Sequence, residues 1–140
     1  MNILVDTSVW SLALRKDIKP DIPEVHLLSR CLQRQDTLFT TGLIVQELLQ
    51  ELLQGFHGPK HRERIIEHFS SFHVIVPDLQ DHIGAAALRA TCRRRGIQVG
   101  TIDVLIAQLA IGRDLELLTT DHDYVHMARH APLRILSESS

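Results

Sequence analysis

Asn2 to Trp10 reads N-I-L-V-D-T-S-V-W. Ile3, Leu4 and Val5 form a short unbroken apolar run, the pattern of a strand buried on both faces of a parallel sheet. The run stops at a carboxylate, Asp6. Thr7 and Ser8 follow, and Val9, Trp10, Leu12, Ala13 and Leu14 then suggest a helix. In open α/β sheets ligands bind at the carboxyl ends of the strands, so Asp6 stands where a working carboxylate belongs. It stands equally well where a helix cap belongs. The choice depends on whether other carboxylates reach the same edge.

Outward from this stretch, strand-like and helix-like segments alternate. Lys16 to Pro20 is a polar turn. Pro23 suits the first turn of a second helix, with Val25, Leu28, Cys31 and Leu32 on one face. Thr37 to Thr41 reads as a second strand, and Gly42 opens a helix carrying Ile44, Val45, Leu48, Leu49, Leu52 and Leu53. Gly55 to Pro59 breaks it. Ile65, Ile66, Phe69 and Phe72 have the spacing of another helix. His73 to Val76 is a third strand. Asp78 suits an N-cap for a helix to Arg95, and Gly96 suits its stop. Ile102 to Ile111 is apolar nearly all round, as in a helix covered by neighbours. Leu115 to Thr119 is a fourth strand, a short helix follows Asp121, and Leu133 to Leu136 is a fifth strand. This alternation predicts an α/β fold with a central parallel sheet of about five strands and helices on both faces. Residues 1–140 read as one domain, with 137–140 a loose tail.

Composition narrows the class. The chain has 140 residues, 44% hydrophobic and 23% charged, with a net charge of −2, which excludes a bulk polycation. Cys31 and Cys92 lie in helical segments and suggest neither a disulfide framework nor a metal cage. No apolar run reaches ~18 residues and no basic leader precedes the first strand, so a cytoplasmic protein without a membrane span is expected.

In a parallel sheet, a helix that leaves a strand and a helix that leads into the next strand both begin at the carboxyl edge. Asp6 ends the first strand. Glu47 lies in the second turn of the helix after the second. Asp103 lies in the first turn of the helix leading into the fourth, and Asp121 follows the fourth. All four are predicted at one edge. Glu51 lies one turn beyond Glu47 on the same face, and periodicity does not choose between them. Asp103, with Thr101 as a possible N-cap, could serve the helix dipole, but it sits between Ile102 and Val104, where an unpaired charge is costly. Clustered carboxylates repel one another unless a cation neutralises them. Oxygen ligands of this kind suit Mg²⁺ or Mn²⁺.

Four motifs resemble those of PIN-domain ribonucleases: V-D-T-S-V-W at Val5 to Trp10, V-Q-E-L-L at Val45 to Leu49, T-I-D-V-L-I-A at Thr101 to Ala107 and T-T-D-H-D-Y at Thr119 to Tyr124. The subgroup most similar is the VapC toxins of type II toxin–antitoxin systems. The resemblance implies a PIN-like three-layer sandwich. It implies Asp6, Glu47, Asp103 and Asp121 as the acidic constellation, favouring Glu47 over Glu51, with Thr7, Thr119 and Asp123 secondary. Asp6 and Asp103 are then the direct metal ligands, and Glu47 and Asp121 act directly or through water. Tyr124 stands where the family often has Phe, and Gly100 where many relatives carry a polar or basic residue. The implied activity is Mg²⁺-dependent hydrolysis of RNA, leaving 5′-phosphate and 3′-hydroxyl ends. The implied partners are an RNA substrate, a cognate antitoxin and a second copy in a homodimer.

RNA approaching an acidic centre needs flanking cations. Arg89, Arg93, Arg94 and Arg95 form the densest basic group, and Lys60, His61, Arg62 and Arg64 form another; either could be a solvated helix face. His122, His126 and His130 share one helical spacing, but no H-E-x-x-H is present and a surface helix is the simpler reading. The leucine-rich stripe of Ile44 to Leu53 is a candidate antitoxin groove. A receiver-like domain would want paired acids after the first strand and a lysine after the last. A haloacid-dehalogenase-type phosphatase would want D-x-D where D-T-S stands. A housekeeping RNA-processing nuclease and a catalytically inactive PIN-like binding module remain the alternatives, the latter separable by a nuclease assay.

Overall fold

The computed structural model describes residues 1–15, 20–54 and 59–138, apart from the side chains of Leu52, Leu53 and Pro59. The turn expected at Lys16 to Pro20 and the break at Gly55 to Pro59 therefore lie largely outside the described residues. So does the end of the tail.

Five strands form one sheet: β1 (Asn2–Val5), β2 (Thr37–Thr41), β3 (His73–Ile75), β4 (Glu116–Leu118) and β5 (Arg134–Ile135). Their order is β3-β2-β1-β4-β5, and every pairing is parallel. Seven helices connect them among the described residues: α1 (Thr7–Ala13), α2 (Pro23–Gln33), α3 (Gly42–Leu53), α4 (Pro59–Phe69), α5 (Leu79–Arg94), α6 (Thr101–Gly112) and α7 (His122–Ala128). The α/β three-layer sandwich expected from the alternation is thus present. Among the described residues no helix is long and apolar enough to cross a membrane.

β1 lies at the centre because Ile3, Leu4 and Val5 are all fully buried, the situation an unbroken apolar run demands. The chain leaves β1 toward β2 on one side and returns to pair β4 on the other. That reversal opens a crevice at the carboxyl ends of β1 and β4, the place where doubly wound sheets bind ligands.

Helix boundaries follow local chemistry. Pro23 opens α2, as its fixed φ favours. Asp78 caps α5 in a reciprocal box: its carboxylate accepts from the Asp81 amide at 2.9 Å, and the Asp81 carboxylate accepts from the Asp78 amide at 2.8 Å. Gly96, at φ +76°, follows the end of α5 in the left-handed conformation that glycine adopts without penalty. α5 and α6 pack closely at Gly84, where an added Cβ would come 2.6 Å from the Gln108 amide nitrogen. Arg113, just past α6, clamps Asp81 with two hydrogen bonds of 2.7 and 2.9 Å, pinning the end of one helix to the start of the other.

Some expectations shift. In α2, Leu27 is buried and Leu32 exposed. In α4, Ile65 and Phe69 face the core while Ile66 is exposed. Phe72 lies in the turn after α4, yet it stacks on Trp10 with ring centroids 5.4 Å apart. Ile102 begins α6 but is exposed, and the N-cap of that helix is Gly100 rather than Thr101. Among the described side chains of the α3 stripe, Ile44 and Leu48 are buried in the core, and Val45 and Leu49 pack against it, partly buried. An apolar groove of about 520 Å³ runs between α5 and α6 past Leu43.

Candidate metal centre

Asp6 follows β1 directly and its amide donates to the Leu118 carbonyl at 2.9 Å, tying the ends of β1 and β4. It occupies the N-cap position of α1 but makes no side-chain capping bond. Instead its Oδ2 accepts from Ser8 Oγ at 2.8 Å and from Thr119 Oγ1 at 2.9 Å. Each hydroxyl in turn accepts a backbone N–H, Thr120 to Ser8 at 3.1 Å and Asp121 to Thr119 at 3.0 Å. A two-hydroxyl bridge therefore holds a carboxylate that is only 6% exposed. Burial raises the Asp6 pKa and the hydroxyls lower it, while Asp121 adds repulsion.

Glu47 comes from α3, which packs beside α1. Thr7 Oγ1 donates to Glu47 Oε1 at 3.3 Å, and one helical turn further Ser11 Oγ donates to Glu51 Oε1 at 2.5 Å. Glu47 is half-buried and Glu51 exposed. The Glu47 pKa is raised, first by burial and then by repulsion from Asp6 and Asp103. Of the two glutamates, Glu47 is the one that shares the field of the other acids.

Asp103 enters from the first turn of α6 and Asp121 from the N-cap of α7. Burial raises the Asp103 pKa, and Asp121, Asp6 and Asp123 raise it further by repulsion; the Tyr124 hydroxyl, 3.3 Å from its Oδ1, lowers it. Asp121 does cap α7, accepting from the Asp123 amide at 2.9 Å, so the capping and clustering roles coexist there. Asp103, Asp121 and Asp123 each present one oxygen within 4.8 Å of the other two.

Asp6, Glu47, Asp103 and Asp121 thus lie near enough at the carboxyl edge to act on one another electrostatically, but the close group is Asp103, Asp121 and Asp123, which Asp6 and Glu47 do not join. Among the described residues none of Asp6, Glu47, Asp103, Asp121 or Asp123 forms an ion pair with a lysine or arginine. An all-oxygen, uncompensated anionic cluster fits a hard divalent cation. Ser8 and Tyr124 are participants that sequence reasoning left out of the site. A hydroxyl two residues beyond a strand-ending acid was the available signal for Ser8.

Of the basic candidates, Arg89 and Arg93 line a cleft of about 460 Å³ that ends at Gly100. An added Cβ at Gly100 would stand 3.6 Å from Asp103 Oδ2, so one residue of the cleft's wall adjoins Asp103. Arg89 also braces its wall, donating to the Val99 carbonyl at 3.1 Å and to Thr101 Oγ1 at 3.4 Å. Arg94 is engaged with Thr91 Oγ1 at 3.3 Å, and neither it nor Arg95 lines that cleft. His122, His126 and His130 are exposed.

No curated protein matches the chain closely enough to count as a relative. Solved structures do resemble it in fold. VapBC2 from Rickettsia felis bound to a promoter DNA fragment superposes with a TM-score of 0.77 at 19% identity, covering 97% of this chain and 98% of that one. DNA-bound VapBC from Salmonella typhimurium gives 0.76 at 23% identity, covering 97% of each chain. Mycobacterium tuberculosis VapC20, a sarcin-ricin loop cleaving toxin, gives 0.68 at 14% identity, covering 94% of this chain and 98% of that one. The PIN domain profile matches residues 3–130, and with that match the chain belongs to the PIN domain family.

Proposed function

We propose that the protein is a divalent-cation-dependent endoribonuclease and the toxin of a VapBC-type toxin–antitoxin pair. The observation that carries the reading is the convergence of Asp6, Glu47, Asp103 and Asp121 from four separate elements, with Asp123 beside them and, among the described residues, no lysine or arginine paired with them. Asp6 and Asp103 are assigned as direct ligands of Mg²⁺, with Mn²⁺ as a substitute, and Glu47 and Asp121 as ligands directly or through water. Bound there, the cation supplies Lewis-acid polarisation of the phosphodiester and a more acidic water. The chain's own residues hold the carboxylates in place. Ser8 and Thr119 fix Asp6, Thr7 fixes Glu47, and Asp123 adds a further oxygen next to Asp121. Arg89 and Arg93 are assigned to the RNA backbone, in the cleft whose wall adjoins Asp103.

The toxin reading draws support from the VapBC assemblies among the structures of like fold. A cognate antitoxin, a homodimer and a cytoplasmic location belong to the same proposal. The test is cleavage of RNA by the purified protein in Mg²⁺, its loss in EDTA and its return with Mg²⁺ or Mn²⁺. Full cleavage after rigorous metal removal would overturn the mechanism. Growth arrest on expression, relieved by a co-expressed neighbouring gene product that forms a stable complex, supports the toxin role. Harmless expression of an active enzyme points to RNA processing instead.

A further inference from the structure

We propose that the Tyr124 hydroxyl is a positioning residue for the cation site, fixing the Asp103 carboxylate relative to Asp121 and Asp123. The inference rests on the reading of the acidic cluster as a cation site. The three carboxylates that approach one another within 4.8 Å come from two elements, Asp103 from α6 and Asp121 and Asp123 from the start of α7. Left alone, like charges at that separation push those elements apart and drive the side chains into other rotamers. Something has to hold Asp103 in register with the start of α7 before the cation arrives.

Tyr124 is built for that task. Its backbone amide donates to the Asp121 carbonyl at 3.3 Å, so its position is set by the first turn of α7. Its side chain is fully buried, which locks the ring by packing. Its hydroxyl then donates to Asp103 Oδ1 at 3.3 Å. Among the described residues this is the one side-chain hydrogen bond joining α6 to α7. A buried phenol needs a polar partner, and here that need selects which Asp103 oxygen is occupied. The other oxygen, Oδ2, lies next to Gly100, 3.6 Å from where a Cβ there would stand. The hydroxyl thus engages Oδ1 of Asp103, and a carboxylate with one oxygen anchored has its plane and its second oxygen fixed as well. Partners of this kind behind a metal ligand typically contribute 10–100-fold in affinity.

The test uses Tyr124→Phe, which keeps the ring and its packing and removes only the oxygen. Circular dichroism and the thermal midpoint confirm that the variant is folded. Calorimetry with Mn²⁺ alone is expected to give a Kd weaker by about tenfold. In an Asp103→Ala background, where Tyr124 has lost its partner and Asp121 and Asp123 remain to bind the ion weakly, the same change is expected to shift the Mn²⁺ Kd by less than about twofold. A second readout uses the fact that Tyr124 is the single tyrosine of the chain. With 3-fluorotyrosine incorporated, its ¹⁹F resonance is expected to move on titration with Mg²⁺ and to stay put in Asp103→Asn. An unchanged Kd in folded Tyr124→Phe, an equal loss in both backgrounds, or a ¹⁹F resonance indifferent to Mg²⁺ in a wild-type protein that binds it would each overturn the inference while leaving the cation site intact. A wild-type protein that binds no Mn²⁺ overturns both readings.

Discussion

Asp103→Asn should make the metal-free protein more stable and the metal-loaded protein worse. In the folded state the pKa values of Asp6, Glu47 and Asp103 are all raised. A raised carboxyl pKa means that the folded state binds protons more tightly than the unfolded chain. Stability from these groups is therefore present at low pH and lost as pH rises, from about 4 up through the raised folded values. At neutral pH without metal the acids oppose folding. Two unit charges 4.8 Å apart repel by roughly 3 kcal/mol at an effective dielectric of ~20. Asp103 is half-buried and Asp123 exposed, so water screens most of that and about 1 kcal/mol remains. Asn removes the charge, keeps the shape and keeps an acceptor for Tyr124. The metal-free variant should melt about 3–5 °C above wild type at pH 7.5, with the difference vanishing near pH 4. Adding 10 mM Mg²⁺ should raise the wild-type midpoint and leave the variant's nearly unmoved, because binding stabilises only the state that binds. The assay is differential scanning fluorimetry with and without EDTA across pH 4 to 8, alongside RNA cleavage, which the variant should lack. A metal-free variant less stable than wild type, or an equal Mg²⁺ shift in both, would refute the electrostatic argument.

Three further outcomes follow from other contacts. Ser8→Ala removes a hydrogen bond to Asp6 and the acceptor for the Thr120 amide; it should cost about 1 kcal/mol in stability and weaken Mn²⁺ binding, read by denaturant melts and calorimetry. Arg113 holds the Asp81 pKa down to about 2, against 3.8 ordinarily, so the pair's stabilisation is present above pH 4 and lost as pH falls toward 2. Arg113→Gln should cost about 1–2 kcal/mol at pH 7 and flatten the acid limb of a stability-versus-pH curve; an unchanged limb would show that the clamp carries no stability. Arg93→Gln should weaken RNA binding and reduce its salt slope by about 0.7, measured by fluorescence anisotropy in an Asp103→Asn background. Arg94→Gln, which lies off the cleft, should leave that slope intact.

The sequence by itself determined the frame. An unbroken apolar triplet at Ile3 to Val5 has few homes other than a central parallel strand, and the alternation of segments then makes helices start at the carboxyl edge. Asp6, Asp103 and Asp121 could be placed there because each lies within a few residues of an element end, where local pattern is informative. Caps and stops such as Asp78 and Gly96 were legible for the same reason: their chemistry acts on neighbours three or four residues away. Periodicity left the choice of glutamate open, since Glu47 and Glu51 share one helical face, and only the family resemblance favoured Glu47. The docking of α1 separates the two, offering Thr7 to Glu47 and Ser11 to Glu51. The same holds for Ile44 and Leu48 of the α3 stripe, whose burial is set by the elements packed against them. It holds too for Tyr124, whose role rests on a partner 21 residues distant, and for the acceptor role of Ser8 toward the Thr120 amide, 112 residues away. Periodicity reports which face of an element is apolar; which atoms meet across that face is set by packing between elements far apart in the chain, where no local pattern reaches.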